Sequence, residues 1–283
     1  MERPTASRRT NAVIATAAMV LCSTIPRPAT AIDTIPFTDV NGGLIEVQAS
    51  IDGAAPAPML VDLGAGVDVL SSDLGRRYVL VNGKYVSLRL TGERVDLPIG
   101  KVLSFTMGGV AIDAPHVGIW KGLDGTGVQG LIAATAFRNI TTTFDFHNHN
   151  VIIEDAQTFP ERARASTRLP LVLQDDLGIS LGVFARFDFG NGKTGLCEID
   201  TGAQGITIDK SLAASLGVTL GAGDRVQAHI PSISMVGAPQ TTIRDPAVTF
   251  ANLIYDCNVG NSFWAGRSFM LDLPNRWIYV PLS

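Results

Sequence analysis

Two short segments, one in each half of the chain, constrain the fold more than any other feature of the sequence. In the second half, an apolar run from Cys197 leads to Asp200, a Thr-Gly turn follows, and another apolar run begins at Ile206. The first half repeats this order with Asp62, a Leu-Gly turn and an apolar run from Val67. A carboxylate on a tight turn between two buried strands is poorly solvated, so it must be paired, protonated or functional.

The spacing around these segments indicates an internal repeat. The intervals 62–70 and 200–208 are both eight residues, and the intervals 133–145 and 260–272 are both twelve. Matched intervals in the same order predict two copies of one fold. The middle of the first copy is longer, which indicates longer loops or an extra hairpin there.

The pattern within each copy is typical of β-strands. Short apolar or alternating runs are separated by turn signals such as Asn82-Gly83, Thr91-Gly92 and Gly108-Gly109. Hydrophobic residues form 46% of the chain, 29 residues are glycine, and few segments have a helical period. We therefore expect a mostly β protein with few short helices. Residues 32–155 would form an N-terminal lobe and 171–283 a C-terminal lobe, joined by a polar linker at 156–170 that has no clear period.

Residues 1–31 have the features of a secretory signal peptide. Arg3, Arg8 and Arg9 precede an apolar run over 12–25, and Ala29-Thr30-Ala31 fits a cleavage site. A retained membrane anchor is the alternative reading, although the run is short for a membrane span. Cleavage after Ala31 predicts a periplasmic or secreted protein that is not attached to the membrane.

The charge of the chain argues against nucleic acid as a partner. The whole chain has 22 basic and 26 acidic residues, and the leader holds four of the arginines and one glutamate, so the mature chain would carry a net charge of −7. Nucleic acids and anionic membrane surfaces attract basic proteins, so we expect neither as a partner.

The cysteine and histidine residues give no sign of a metal site. Cys197 and Cys257 would remain in the mature chain. An oxidising compartment permits a disulfide between them, and two buried free thiols are an equally open alternative. His147 and His149 lie in a polar turn without a carboxylate or cysteine cluster, so we expect no metal and no other cofactor.

Two lobes of like fold can bring Asp62 and Asp200 together across a pseudo-twofold axis. At contact distance both carboxylates cannot remain ionised, so the pair would hold one proton. One member could then activate a water as general base, while the other polarises a carbonyl group as general acid. This chemistry suits hydrolysis of an amide without a metal. The glycine after each motif is expected to let the turn adopt φ values that a Cβ would forbid.

Several segments resemble the retropepsin-like and pepsin-like aspartic proteases, in particular their periplasmic bacterial branch. Asp200-Thr201-Gly202-Ala203, with the apolar runs around it, is similar to the active-site loop of that family. The segment 259–264 resembles the glycine-containing element that the family packs behind this loop. Asp62-Leu63-Gly64-Ala65, with Leu131-Ile132-Ala133 downstream, is similar to a second, degenerate copy. The resemblance implies two homologous β-barrel lobes, with the two aspartates as the catalytic pair and the residues after them as the active-site loops.

Two positions in the first copy depart from the family pattern. The family has Thr or Ser after each catalytic aspartate, and the hydroxyl bonds to the backbone of the other loop. Thr201 has this hydroxyl, whereas Leu63 lacks it, and Ala133 stands where the family has glycine. The resemblance also implies a flap over the substrate, for which the span 85–110 is the candidate because it holds the extra hairpin.

The leading hypothesis is an aspartic endopeptidase that acts as a monomer on extended polypeptides, which such a cleft binds by strand-like backbone bonds. One alternative is a catalytically inactive peptide-binding module on the same fold, with Leu63 as the sign of decay. Another is an enzyme whose Asp200 pairs with its own copy across a homodimer.

Overall fold

The computed structural model describes residues 33–282. The predicted signal peptide at 1–31 lies outside the described residues. In the described part of the chain, no helix is long and apolar enough to cross a membrane.

The described chain is built mainly of short β-strands, as the sequence predicts. In the first half these are β1 (Asp33–Pro36), β2 (Thr38–Val40), β3 (Leu44–Ile51), β4 (Ala57–Val61), β5 (Asp68–Leu70), β6 (Leu80–Leu88), β7 (Arg94–Lys101), β8 (Phe105–Met107), β9 (Val110–Ala111), β10 (Val117–Ile119), β11 (Gly130–Ile132), β12 (Thr141–Asp145) and β13 (Asn150–Ile153). In the second half they are β14 (Ser166–Pro170), β15 (Val172–Asp176), β16 (Ser180–Asp188), β17 (Thr194–Ile199), β18 (Ile206–Asp209), β19 (Val226–His229), β20 (Ser232–Met235), β21 (Ala238–Arg244), β22 (Ala247–Ala251), β23 (Cys257–Val259), β24 (Ser268–Asp272) and β25 (Trp277–Pro281).

The helices are short. The α-helices are α1 (Ser72–Tyr78) and α2 (Thr158–Arg164), and the 3₁₀ helices span Lys121–Leu123, Ala134–Phe137, Lys210–Leu212, Ala214–Leu216 and Asn261–Phe263.

Each half of the chain forms its own sheet, and the two sheets have matching connections. The first has the order β6-β7-β10-β5-β11-β4-β3-β8-β9, with β2 on β3, and the second has the order β19-β22-β18-β23-β17-β16-β20-β21, with β15 on β16. The strand before each aspartate runs parallel to a later strand, β4 to β11 and β17 to β23. The strand after each aspartate pairs antiparallel with that same later strand, β5 with β11 and β18 with β23. The prediction of a mostly β fold with two like lobes is confirmed.

A six-stranded sheet joins the two halves. Its order is β1-β13-β12-β24-β25-β14, so strands of the first half lie beside strands of the second. At the junction β12 and β24 pair antiparallel, with Phe144 opposite Phe269. These two rings stack with their centroids 5.0 Å apart, and both side chains are buried. The junction is therefore apolar and closely packed, and it connects the two halves of the chain through backbone pairing.

The segment 156–170 is not the structureless linker that its sequence suggested. It contains α2 and β14, and β14 pairs with β25 as β1 pairs with β13. The segment therefore includes the first strand of the second copy. Its pattern was too weak to recognise because β14 is an edge strand in which only Leu169 is buried. The helix is short and packs on the sheet through Phe159, whose ring meets that of Tyr279 edge to face.

A disulfide joins Cys197 to Cys257. The parallel pairing of β17 with β23 places the two residues opposite each other, with their Cα atoms 4.5 Å apart. Both are completely buried. Of the two alternatives left open by the sequence, the structure contains the cross-link, and it lies directly beneath the loop that carries Asp200.

Candidate active site

The two aspartates occupy equivalent places in their lobes. The backbone N–H of Asp62 donates to the carbonyl of Ile132 at 2.8 Å, and that of Asp200 donates to the carbonyl of Val259 at 3.1 Å. In each loop the glycine two residues later donates its N–H to Oδ1 of the aspartate, at 3.0 Å in the first loop and 2.8 Å in the second. Each carboxylate is thus fixed by its own turn and by the strand behind it.

Each carboxyl group lies directly over the glycine of the other loop. A Cβ on Gly64 would stand 2.5 Å from Cγ of Asp200, and a Cβ on Gly202 would stand 2.2 Å from Cγ of Asp62. Neither glycine has a positive φ, so the requirement for glycine at these two positions is not torsional. Gly66, which follows the first motif, has the expected positive φ of 74°, whereas Gly205, which follows the second, does not. Positions 64 and 202 require glycine because a methyl group would displace the opposite carboxylate. The structure thus brings Asp62 and Asp200 together within one chain.

Asp200 is buried and Asp62 is half-buried, and the pair has one favoured place for a proton. Asp200 has only 7% of its surface exposed. Burial, the negative charge of Asp200 and the hydrogen bond between the two groups raise the pKa of Asp62 well above its usual range. Burial also raises the pKa of Asp200, but hydrogen bonds from Asn258 and Gly202 oppose this rise. We therefore assign the shared proton to Asp62 and the negative charge to Asp200.

Half of the expected cross-lobe contact is present. The Thr201 hydroxyl donates to the carbonyl of Val61 at 2.8 Å and accepts the N–H of Leu63 at 3.0 Å. Thr201 and Leu63 are both completely buried. The Leu63 side chain cannot make the corresponding pair of bonds to the second loop, so one hydroxyl carries this contact between the lobes. Asn261 adds a further link, because its amide donates to the carbonyls of Thr201 and of Gly43 in the first half.

The first lobe accommodates Ala133 through a side chain that the sequence did not single out. In the second lobe the N–H of Gly260 donates to the carbonyl of Gly205, and a Cβ on Gly260 would stand 2.5 Å from that oxygen. In the first lobe the carboxylate of Asp68 accepts the N–H of Ala133 at 2.8 Å and the hydroxyl of Thr135 at 3.0 Å. Asp68 is completely buried, which raises its pKa to about 7.

A third carboxyl group lies beside the pair. Glu198 precedes Asp200 by two residues and is 92% buried, since 8% of it is exposed. It accepts a short hydrogen bond from the Tyr255 hydroxyl, and the Asn258 amide lies 3.4 Å from the same oxygen. The same amide donates to Asp200 Oδ2 at 2.7 Å, so Asn258 bridges the two carboxyl groups. A glutamate inside an apolar strand was a visible signal in the sequence, but its partners are not adjacent along the chain.

A hairpin formed by β6 and β7 closes over the carboxyl pair. Residues Ser87–Leu90 and Val95 line a cavity of about 270 Å³ that both aspartates, Ala65 and Ala203 also line. At the tip of the hairpin, the carbonyl of Leu90 accepts the N–H of Ile254 from the second half at 3.0 Å. The expected flap span of 85–110 is therefore wrong at both ends: the hairpin runs from Leu80 to Lys101, and β8 and β9 lie at the other edge of the sheet, beyond β3.

Among residues 33–282, no group of three or more His, Cys, Asp or Glu side chains is arranged to hold a metal ion. What remains is a pair of carboxyl groups that share a proton in a covered cleft. Such a pair can activate a water and polarise a carbonyl group.

Comparison with known proteins identifies the fold. No protein-family model matches the chain, and no curated protein matches it. Among solved structures, the chain is similar to basic 7S globulin from soybean, with a TM-score of 0.56 and 14% sequence identity over 89% of this chain and 96% of that one. The likeness shows that this chain has a mostly β, two-lobe fold of the pepsin-like type.

Proposed function

We propose that this protein is an aspartic endopeptidase that cuts extended polypeptides with Asp62 and Asp200. The observation that carries the proposal is the mutual placement of the two carboxyl groups, each over the glycine of the opposite loop. A single buried aspartate on a turn would have a structural explanation. Two in equivalent positions, facing each other beneath a hairpin, form an acid–base pair.

The protonation of the pair supports a division of roles. Asp200 takes a proton from a water whose oxygen attacks the carbonyl carbon of the peptide bond, while Asp62 gives its proton to the carbonyl oxygen. The resulting diol collapses when the proton on Asp200 passes to the amide nitrogen and the C–N bond breaks. The proton on the diol oxygen returns to Asp62. All atoms of water enter the products, and the pair regains its single proton.

The cleft supports an extended substrate. Residues of the hairpin β6–β7 line the cleft together with residues of the loops 62–65 and 200–203. A peptide between two such surfaces can bind by backbone hydrogen bonds, as an added strand does. We place this activity outside the cytoplasm, in agreement with the leader predicted at 1–31 and with the disulfide.

A peptide-library cleavage assay over pH 3 to 8 tests the proposal. The wild-type chain should cut, and both Asp62→Asn and Asp200→Asn should lose at least about a thousandfold in kcat/KM, because the pair then lacks either its acid or its base. Asp73→Asn, a matched change on the exposed face of α1, should cut like wild type.

The same assay separates the alternatives. Cleavage that persists in Asp62→Asn would contradict the pairing within one chain and favour a homodimer. Absence of cleavage at every pH would favour the second candidate function, a peptide-binding module. The observation behind that candidate is the lost half of the cross-lobe contact at Leu63.

A further inference from the structure

A second cavity adjoins the carboxyl pair and is not needed for cutting a peptide bond. It has a volume of about 500 Å³ and lies between the hairpin β6–β7 and the strands β15 and β16. Glu198 and Tyr255 line both this cavity and the one that holds the aspartates. A substrate bound at the pair would therefore have a side-chain pocket beside the bond that is cut.

Glu198 forms the inner end of this pocket. Successive residues of a strand alternate between its faces. Glu198 and Asp200 are two residues apart, so the side chain of Glu198 is on the same face of the sheet as that of Asp200, which directly follows β17. The Tyr255 hydroxyl and the Asn258 amide both approach Oε2. Within the described residues no hydrogen bond reaches Oε1. This oxygen also differs from the unpaired polar atoms that are fully buried, since it keeps some accessible surface. One oxygen of a nine-tenths buried carboxyl group is thus left for a ligand.

The pocket has acidic groups but no basic side chain of its own. Asp176 lines its outer part and accepts a hydrogen bond from the Tyr85 hydroxyl at 2.9 Å. The neighbouring Asp175 is already paired with Arg138 and is not available. The residues that line this pocket include no lysine or arginine.

The basic side chain of the covering hairpin that lines the adjoining cavity is already paired. Arg89 lines the adjoining cavity, and its guanidinium lies 3.7 Å from the carboxylate of Glu93 on the same hairpin. Burial and the charge of Asp200 raise the pKa of Glu198 to about 8. The protonated form of Glu198 is therefore favoured at neutral pH, and an incoming cation can take the place of that proton.

We propose that this pocket is a specificity subsite for a lysine or arginine side chain of the substrate. The inference rests on the proposed function, since it names the class of peptide that the same cleft selects. Residues i and i+2 of a strand are about 6.5–7 Å apart, which is also the span of two residues in an extended peptide. The basic side chain is thus placed within two residues of the bond that is cut.

Matched peptide pairs test this subsite. Each pair differs only in arginine against citrulline, its neutral analogue of similar shape, at one position within two residues of the bond that is cut. At one of these positions, wild type should cut the arginine peptide at least about tenfold faster in kcat/KM, the effect of one charge-assisted hydrogen bond. Glu198→Gln keeps an oxygen for Tyr255 and Asn258 but cannot become negative, so its ratio should fall to near one. Glu161→Gln, the same change on α2, should keep the wild-type ratio.

A binding measurement keeps this test separate from the proposed function. The labelled pairs are titrated onto the Asp62→Asn chain, with and without Glu198→Gln, by fluorescence polarisation. Tighter binding of the arginine peptide that disappears with Glu198→Gln supports the subsite even if wild type cuts nothing, in which case the protease proposal alone fails. Equal affinities for arginine and citrulline at every position would overturn the subsite. A cleavage preference that survives in Glu198→Gln would also overturn it.

Discussion

Replacing Thr201 with valine should weaken the contact between the two lobes and lower the stability of the fold, while the shape of the side chain stays almost unchanged. The hydroxyl is the only part removed, and it serves the carbonyl of Val61 and the N–H of Leu63 at once. All three residues are completely buried, so water cannot replace the lost bonds without opening the site.

The magnitude follows from these two backbone groups. Each buried polar group left without a partner costs about 1–3 kcal/mol, so the free energy of unfolding should fall by about 2–6 kcal/mol. That loss is a large share of the roughly 5–15 kcal/mol that keeps a protein folded. For a chain of this size it corresponds to a fall in Tm on the order of 10 °C.

Thr142→Val provides a matched control. Thr142 is also completely buried, but its hydroxyl has no partner among the described residues. The same change there should leave stability unchanged or raise it by about 1 kcal/mol, because it removes an unpaired buried polar group. Urea unfolding followed by tryptophan fluorescence gives both free energies, provided that the slope with urea does not change. The reasoning is refuted if Thr201→Val unfolds at the wild-type midpoint, or if both variants lose the same amount.

Three further predictions follow from the site and its surroundings. Gly202→Ala should abolish peptide cleavage, because the new methyl group would occupy the place of the Asp62 carboxylate; Gly205→Ala, whose Cβ meets nothing within 4 Å, should retain it. Burial raises the pKa of Asp68 from 3.8 to about 7 in the folded chain, so the protonated side chain favours folding. The contribution of Asp68 to the free energy of unfolding should be greatest below pH 4 and be lost as the pH rises to about 7. The difference in unfolding free energy between wild type and Asp68→Asn should therefore shift by up to about 4 kcal/mol across this range, and a difference that is constant with pH would contradict the assignment. Breaking the disulfide with Cys197→Ser should lower the free energy of unfolding by about 4 kcal/mol, since the bond closes a 60-residue interval; an unchanged urea midpoint would show that the cross-link does not constrain the unfolded chain.

The repeat was predictable because strand pairing fixes intervals along the chain. Ile132 and Val259 accept the N–H groups of the two aspartates, and they stand one residue before the matched positions 133 and 260. A residue cannot be inserted between the aspartate turn and the strand that follows without moving its side chains to the other face of the sheet. Equal intervals in the two halves therefore indicate that the corresponding strands pair in the same register.

The surroundings of the carboxyl pair were not predictable in the same way. Glu198 meets Asn258 because β17 and β23 lie side by side, and a single sequence does not give the register of two strands that are 60 residues apart. The sequence did not single out Asp68, although its carboxyl group compensates for Ala133. Both cases depend on contacts between distant segments, whereas the turns depend on neighbouring residues.

The β12–β24 pairing limits how this protein can be divided. A second half made on its own would leave β24 with a free edge that carries Phe269, Met270 and Leu271, which are buried in the intact sheet. An unpaired apolar edge is a template for aggregation. The separated halves should therefore be soluble only when they are produced together, so the two repeats are expected to fold as one unit.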